Sequence, residues 1–182
     1  MTQDPSSAPK PTQPIPPDDS RRSLALARPD DAGSLPDVSV AGGTYTILLS
    51  SEHTASRYTL IDMYVPPGAG PPPHRHDFEE MFTVLEGEIA FTFRGAPLVV
   101  QAGETVNVAA NAPHSFRNGG ERPARLLCMC TPPGQERFFA AVGDPVASRT
   151  APPPPLSDAE RAERRARAAA LAPAYRTELP TP

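Results

Sequence analysis

The sequence predicts an all-β fold, a sandwich or barrel of short strands followed by short helices. Three observations carry that reading. Between about residues 37 and 132, short apolar runs alternate with Gly, Pro and Asn breaks, the rhythm of many short strands at regular spacing. Glu86-Gly87-Glu88 sits between two such runs and suggests a hairpin. After Pro132-Pro133-Gly134 the pattern turns helical.

The elements follow in order. Residues 1–36 are rich in Pro, Ser, Asp and Gln with few aromatics. Such a stretch buries too little to offset its ordering entropy, so a disordered arm is expected there. Strands are expected at residues 45–49, 58–65, 80–86, 89–93, 98–101, 105–108, 114–117 and 124–131, within a β domain spanning 37–132. In residues 133–150, the stretch 135–142 carries Phe138, Phe139 and Val142, enough for a short helix packed on the barrel. Residues 151–182 open with a stiff spacer, Ala151 followed by four prolines. Ser157-Asp158-Ala159-Glu160 then reads as a capping box for a helix that runs to about Leu171 and stops before Pro173. The stripe on that helix is alanine, which buries little area. A solvated helix resting loosely on the barrel is expected, with a partner-binding helix as the alternative.

Composition excludes some functions. The 182 residues allow one ordinary domain with tails, and the 26 prolines gather at the ends and a few breaks. A net charge of −4 gives no basic face for nucleic acid. No run is apolar for long enough to cross a bilayer. Arg21-Arg22 looks superficially like a twin-arginine signal, but the apolar run after it is short and ends at Arg28-Pro29-Asp30-Asp31. Cys128 and Cys130 are too close to staple a fold. A cytoplasmic protein is therefore expected.

The chemistry concentrates in a few residues. His74-Arg75-His76 places two imidazoles at i and i+2, on one face of an extended chain with Cα atoms roughly 6–7 Å apart. Both rings can then reach one metal ion at about 2.1 Å. Glu80 keeps the same parity, and so do Phe82 and Val84, so this face should point into the fold. His114 comes from a separate strand. Taken alone, an H-x-H after a proline run fits an exposed loop equally well. Arg75 and Glu79 have the opposite parity and should face outward or toward a neighbouring strand. Phe82 and Phe116 share the parity of Glu80 and His114, so either lines the pocket or packs in the core. His53 reads as an ordinary surface histidine. Cys128 and Cys130 share one strand face and read as small buried hydrophobes rather than a second metal or redox site.

Residues 68–87, from Gly68 through His74-Arg75-His76 and Glu80 to Gly87, match the first cupin motif, G-x5-H-x-H-x3-E-x6-G, at every defined position. Residues 103–118 resemble the second, G-x5-P-x-G-x2-H-x3-N, keeping Gly103, His114 and Asn118. Ala109 stands for the usual proline and Asn111 for the usual glycine. Asn tolerates positive φ better than most residues, so the turn should survive. The chain therefore resembles a small single-domain cupin of the quercetinase-like type. The resemblance implies a double-stranded β-helix, or jelly-roll barrel, with short C-terminal helices. It makes His74, His76, Glu80 and His114 the metal ligands and Gly68, Gly87 and Gly103 turn residues. Three imidazoles and a carboxylate suit one divalent Fe, Ni, Mn, Co, Cu or Zn ion and argue against Ca or Mg. Four protein ligands leave positions open for water, substrate or O2.

Three functions compete. The first is a dioxygenase acting on a small hydroxylated aromatic or enol substrate, with Glu80 as ligand and catalytic base. The second is a metal-dependent isomerase, cyclase or hydrolase. The third is a non-catalytic module that binds a small molecule. Cupins often pair through their sheets, so a homodimer is also implied. Deleting residues 1–30 is expected to leave the melting temperature and metal content nearly unchanged. A large loss of either, by calorimetry or elemental analysis, would show that the arm docks on the fold.

Overall fold

Twelve strands and two helices make up the fold in a computed structural model that describes residues 14–31 and 33–179. In chain order they are β1 (Asp37–Val40), β2 (Gly43–Leu49), β3 (Thr59–Val65), β4 (Arg75–His76), β5 (Glu79–Glu86), β6 (Glu88–Phe93), β7 (Ala96–Gln101), β8 (Thr105–Val108), β9 (His114–Arg117) and β10 (Ala124–Thr131). Helix α1 (Gln135–Val142), β11 (Asp144–Pro145), α2 (Asp158–Leu171), a 3-10 turn (Ala172–Tyr175) and β12 (Thr177–Glu178) follow. One large sheet runs β11-β1-β2-β3-β10-β5-β8, a second runs β7-β6-β9, and β12 pairs with β4. The two main sheets pack as a jelly roll but are not joined by continuous hydrogen bonding into a closed barrel.

Alternation builds this sandwich. Along β10 every second residue is buried, which sends Ala124, Leu126, Cys128 and Cys130 inward. β5 alternates likewise, burying Glu80, Phe82 and Val84. Phe82 meets Phe91 of β6 and Phe116 of β9 across the core, both with centroids 5.4 Å away and rings edge to face. This aromatic layer joins the two sheets. Helix α1 closes one end, where Phe139 packs on Tyr45 of β2 at 5.0 Å. Glu136 is buried there, accepting hydrogen bonds from the backbone N–H groups of Ser51 and Gly134 at 3.1 and 2.8 Å.

The observed β8, β9, β10 and α1 have the bounds expected from the sequence. The capping box is present too: Ser157 Oγ accepts from the Glu160 N–H, and the Glu160 carboxylate accepts from the Ser157 N–H at 2.7 Å. No residue of α2 is buried. Four strands, β1, β4, β11 and β12, were not among the expected runs. They are only two to four residues long, too short for alternation to show. Residues 14–31 and 33–36 form turns and extended chain without helix or strand. They touch the fold through Arg22, which donates to the His53 carbonyl at 3.3 Å, and through an Asp30–Arg149 ion pair at 2.8 Å. The disorder expected over 1–36 falls, for residues 1–13 and 32, outside the described residues.

Two turns decide how the site-bearing strands enter. Gly70 lies at φ +141° with its backbone against β9, and a Cβ there would overlap the Phe116 carbonyl oxygen. Gly103 also has a positive φ, +88°, but open space around it. Gly70→Ala should therefore cost roughly 2 kcal/mol or more, through strain and collision together. Gly103→Ala should cost only about 1 kcal/mol, for the dihedral alone. Urea unfolding of both variants checks the order, and equal losses would contradict it.

Candidate metal centre

The H-x-H pair sits where the chain crosses from the proline run into β4 and β5. His74 N–H donates to the His114 carbonyl and His114 N–H to the His74 carbonyl, both at 2.9 Å. This reciprocal bridge fixes the distance between the two halves of the site. Asn111 takes φ +67°, as the motif's glycine position requires, and its N–H donates to the His76 carbonyl at 2.6 Å. Asn118 is buried; its Nδ2 donates to the carbonyls of Val65 and Arg122, both at 2.8 Å. It locks the loops behind the site and does not touch the histidines' side chains.

The structure brings His74, His76, Glu80 and His114 together, with one ligand atom from each lying within 4.8 Å of all the others. His76, Glu80 and His114 are each 2% exposed, and His74 is half-buried. Solvent thus reaches the cluster from the His74 side. Phe78 stacks on the His76 ring at 3.8 Å and 4°. Phe82 and Phe116 lie in the core, 1% and 4% exposed. Arg75 is exposed and Glu79 half-buried, accepting from the Asn107 side chain at 2.7 Å and the Ala110 N–H at 3.1 Å. His53 is exposed and lies outside the cluster.

Each imidazole has its Nδ1 on a backbone carbonyl: His74 on Pro72 at 2.9 Å, His76 on Phe78 at 2.9 Å and His114 on Ala112 at 3.0 Å. A carbonyl only accepts, so Nδ1 carries the hydrogen in all three rings. In the neutral ring, Nε2 is then a bare lone pair. The Nε2 atoms of His76 and His114 lie 2.9 and 3.2 Å from Glu80 Oε2. Acceptors facing a carboxylate at that distance repel one another unless a proton or a metal ion lies between them. The donor set therefore fits a divalent transition metal, whose imidazole ligands characteristically hand their other N–H to a carbonyl.

Electrostatics agree with that geometry. Burial raises the Glu80 carboxyl, but hydrogen bonds and charge from His114 and His76 outweigh it and hold the group well below the usual carboxylate range. Burial lowers His114, yet its contact with Glu80 more than offsets this and raises it. His74 is pushed down to about 4, by burial first and by the charge of His114 next. It therefore stays neutral, with its lone pair available, through the physiological range.

Cys128 and Cys130 are buried, as expected, but the sequence did not reveal what they touch. Cys128 Sγ donates to Glu80 Oε1 at 3.2 Å; Cys130 Sγ lies 3.7 Å from the same oxygen and 3.7 Å from Cys128 Sγ. Burial, with the neighbouring thiol and carboxylate, holds Cys128 well above its ordinary value, and burial lifts Cys130 to about 11. Parity puts both thiols on the inward face, and the register of β10 against β5 then sets Cys130 directly opposite Glu80.

A jelly roll that gathers three imidazoles and a carboxylate inside one end defines a class of proteins able to hold a metal ion. Residues 61–130 match the family model of the cupin domain. This part of the chain is thus a cupin domain. It is 31% identical over 78 residues to the uncharacterized protein MJ1618 of Methanocaldococcus jannaschii, covering 42% of this chain and 62% of that one. It is 27% identical over 128 residues to quercetin 2,3-dioxygenase of Bacillus subtilis, covering 70% of this chain and 37% of the enzyme. The chain thus spans less than two thirds of either relative. Its fold is similar to a predicted oxalate decarboxylase of Thermotoga maritima, with a TM-score of 0.53 and 24% identity over 58% of this chain and 97% of that one. Among the described residues, no helix is long and apolar enough to cross a membrane.

The His74 shift has a consequence for the metal-free protein. Between the ordinary imidazole value of 6.5 and about 4, the unfolded chain takes up a proton that folded His74 refuses. Stability should fall as pH drops through that window. His74→Ala should flatten this part of the profile, as read by urea unfolding of chelator-treated protein at pH 7.5 and 4.5. An unchanged slope would mean that His74 does not carry it.

Proposed function

We propose that this chain is a metal-dependent cupin enzyme, a dioxygenase acting on a small hydroxylated aromatic or enol substrate. The observation that carries the metal reading is the convergence of acceptor atoms from His76, Glu80 and His114, with His74 beside them, on one buried point. His74, His76, Glu80 and His114 would hold one divalent Fe, Ni, Mn, Co, Cu or Zn ion. When bound, the ion would supply Lewis acidity and, for a redox-active metal, a route to O2 chemistry. The similarity to the Bacillus subtilis quercetin 2,3-dioxygenase over 70% of the chain supports the choice of reaction.

The chain's own residues would divide the remaining work. The half-buried His74 edge admits the substrate, while the Phe82, Phe91 and Phe116 layer excludes water from behind. Glu80, an ionised carboxylate at the centre, takes the proton from the substrate hydroxyl. His114 and His76, hydrogen-bonded through Nδ1, keep Nε2 aimed inward. We further propose a cytoplasmic homodimer, following the family's habit of pairing.

Elemental analysis of the purified protein should find about one transition-metal ion per chain, and His76→Ala and His114→Ala should each lose most of it and melt at a lower temperature. Wild-type metal content in both variants would remove the site. An oxygen electrode with flavonols, catechols and β-diketones, and with each metal restored in turn, tests the reaction. Glu80→Gln should lower turnover per bound metal by at least about 10²-fold. Full turnover in that variant would leave Glu80 a ligand only. Binding of a panel member without any oxygen uptake would favour a non-catalytic binder instead.

A further inference from the structure

The two oxygens of Glu80 have separate surroundings. Oε2 faces the Nε2 atoms of His76 and His114, and Oε1 faces Cys128 at 3.2 Å and Cys130 at 3.7 Å. No other donor reaches Oε1 among the described residues. We propose that Cys128 is a positioning residue for the metal centre: its thiol donates to Glu80 Oε1, fixes the carboxylate's rotation, and so presents Oε2 alone to the imidazoles. This rests on the metal reading given above.

The architecture favours this role over the two obvious alternatives. β10 is a central strand, paired with β3 on one side and β5 on the other, so the cysteine backbone is held at both edges. In an extended strand, residues at i and i+2 have Cα atoms roughly 6.7 Å apart. That is at the upper edge of what a disulfide spans, about 6.8 Å. Bridging Cys128 to Cys130 would therefore distort a strand that both neighbours clamp. Simple packing is the other alternative. It does not account for the direction of the contact, because an apolar side chain of similar size would leave a buried carboxylate oxygen without a donor, a costly arrangement. Sulfur is a weak donor, yet a charged acceptor strengthens any hydrogen bond made to it.

The effect on the ion is one of orientation. A carboxylate free to rotate can present either oxygen or both. With Oε1 held by a thiol, one oxygen is committed, and the approach of the other relative to His76 and His114 is set before the ion arrives. Partners of this kind typically change metal affinity by about 10–100-fold when removed.

Two measurements test the assignment, one of them without metal. In the Cys130→Ala protein a single thiol contributes the infrared S–H stretching band. That band should lie below the frequency of a free thiol and should move when Glu80→Gln is added. A band at the free-thiol position, indifferent to Glu80→Gln, overturns the proposal whatever the metal content. The second measurement is Co(II) titration followed by absorption in the visible region. Cys128→Ala should bind about tenfold more weakly than wild type with a changed Co(II) spectrum, and Cys128→Ser, which keeps a donor, should recover most of both. Cys130→Ala, at the longer distance, should change affinity less than about threefold. If wild type and Cys128→Ala share affinity and spectrum, the positioning role is wrong and the metal site stands. If wild-type protein takes up no Co(II), the metal reading fails and the positioning role falls with it.

Discussion

A carboxylate sealed inside an apolar sandwich is expensive unless a positive charge accompanies it. Glu80 is 2% exposed, and the groups around its Oε2 are imidazole nitrogens whose other edges already donate to carbonyls. In the metal-free state the contact between the two groups holds Glu80 low and His114 high. A divalent ion would meet the same need with a better-shaped charge. The arrangement stabilises the fold only while something cationic occupies the centre, so structure and metal affinity are coupled through one side chain.

Delivering that side chain requires three crossings of the chain to agree. Gly70 lets the backbone pass against β9, His74 and His114 exchange backbone hydrogen bonds, and the left-handed Asn111 turns back to bond His76. None of these contacts involves a ligand atom. They fix where the Cα atoms sit, and the Nδ1–carbonyl bonds then fix which way each ring faces. The glycine and asparagine positions are thus as much a part of the site as the histidines, because a shift of the bridge would separate His114 from Glu80.

The long central strands and the inward face that carries Glu80 were legible in the sequence because both rest on parity. Glu80, Phe82 and Val84 alternate with outward residues, and the same period put Cys128 and Cys130 inside. What parity does not convey is the partner across the sheet. That Cys130 would pair with Glu80, rather than with a residue two positions along, depends on the register of β10 against β5. This register is set by tertiary packing and by an irregularity between Arg125 and Leu126. The two-residue strands were invisible for a different reason. Asp144-Pro145 and Thr177-Glu178 are too short for alternation to show, and each pairs with the edge of another strand.

The last of those strands bears on how the site is walled. β12 pairs with β4, placing Thr177 opposite His76 and Glu178 opposite Arg75. The ion pairs Arg75–Glu178 and Arg176–Asp77 flank it, but their side chains are about half exposed or more, and such pairs contribute little. Helix α2 contributes no buried residue. What holds the return is apolar: Ala172 is buried, and Tyr175 packs on Phe138 of α1 at 5.5 Å. Helix α1 in turn rests on Tyr45 through Phe139. The chain outside the matched residues 61–130 therefore forms a continuous support, from β2 through α1 to β12, that ends on the strand carrying His76. A domain cut to the matched region would keep His74, His76, Glu80 and His114 but lose the neighbour of β4, leaving the H-x-H segment paired only through the His74–His114 bridge and the Asn111 bond. The flanking segments are in this sense structural parts of the candidate metal centre, although none of their side chains belongs to the cluster of His74, His76, Glu80 and His114.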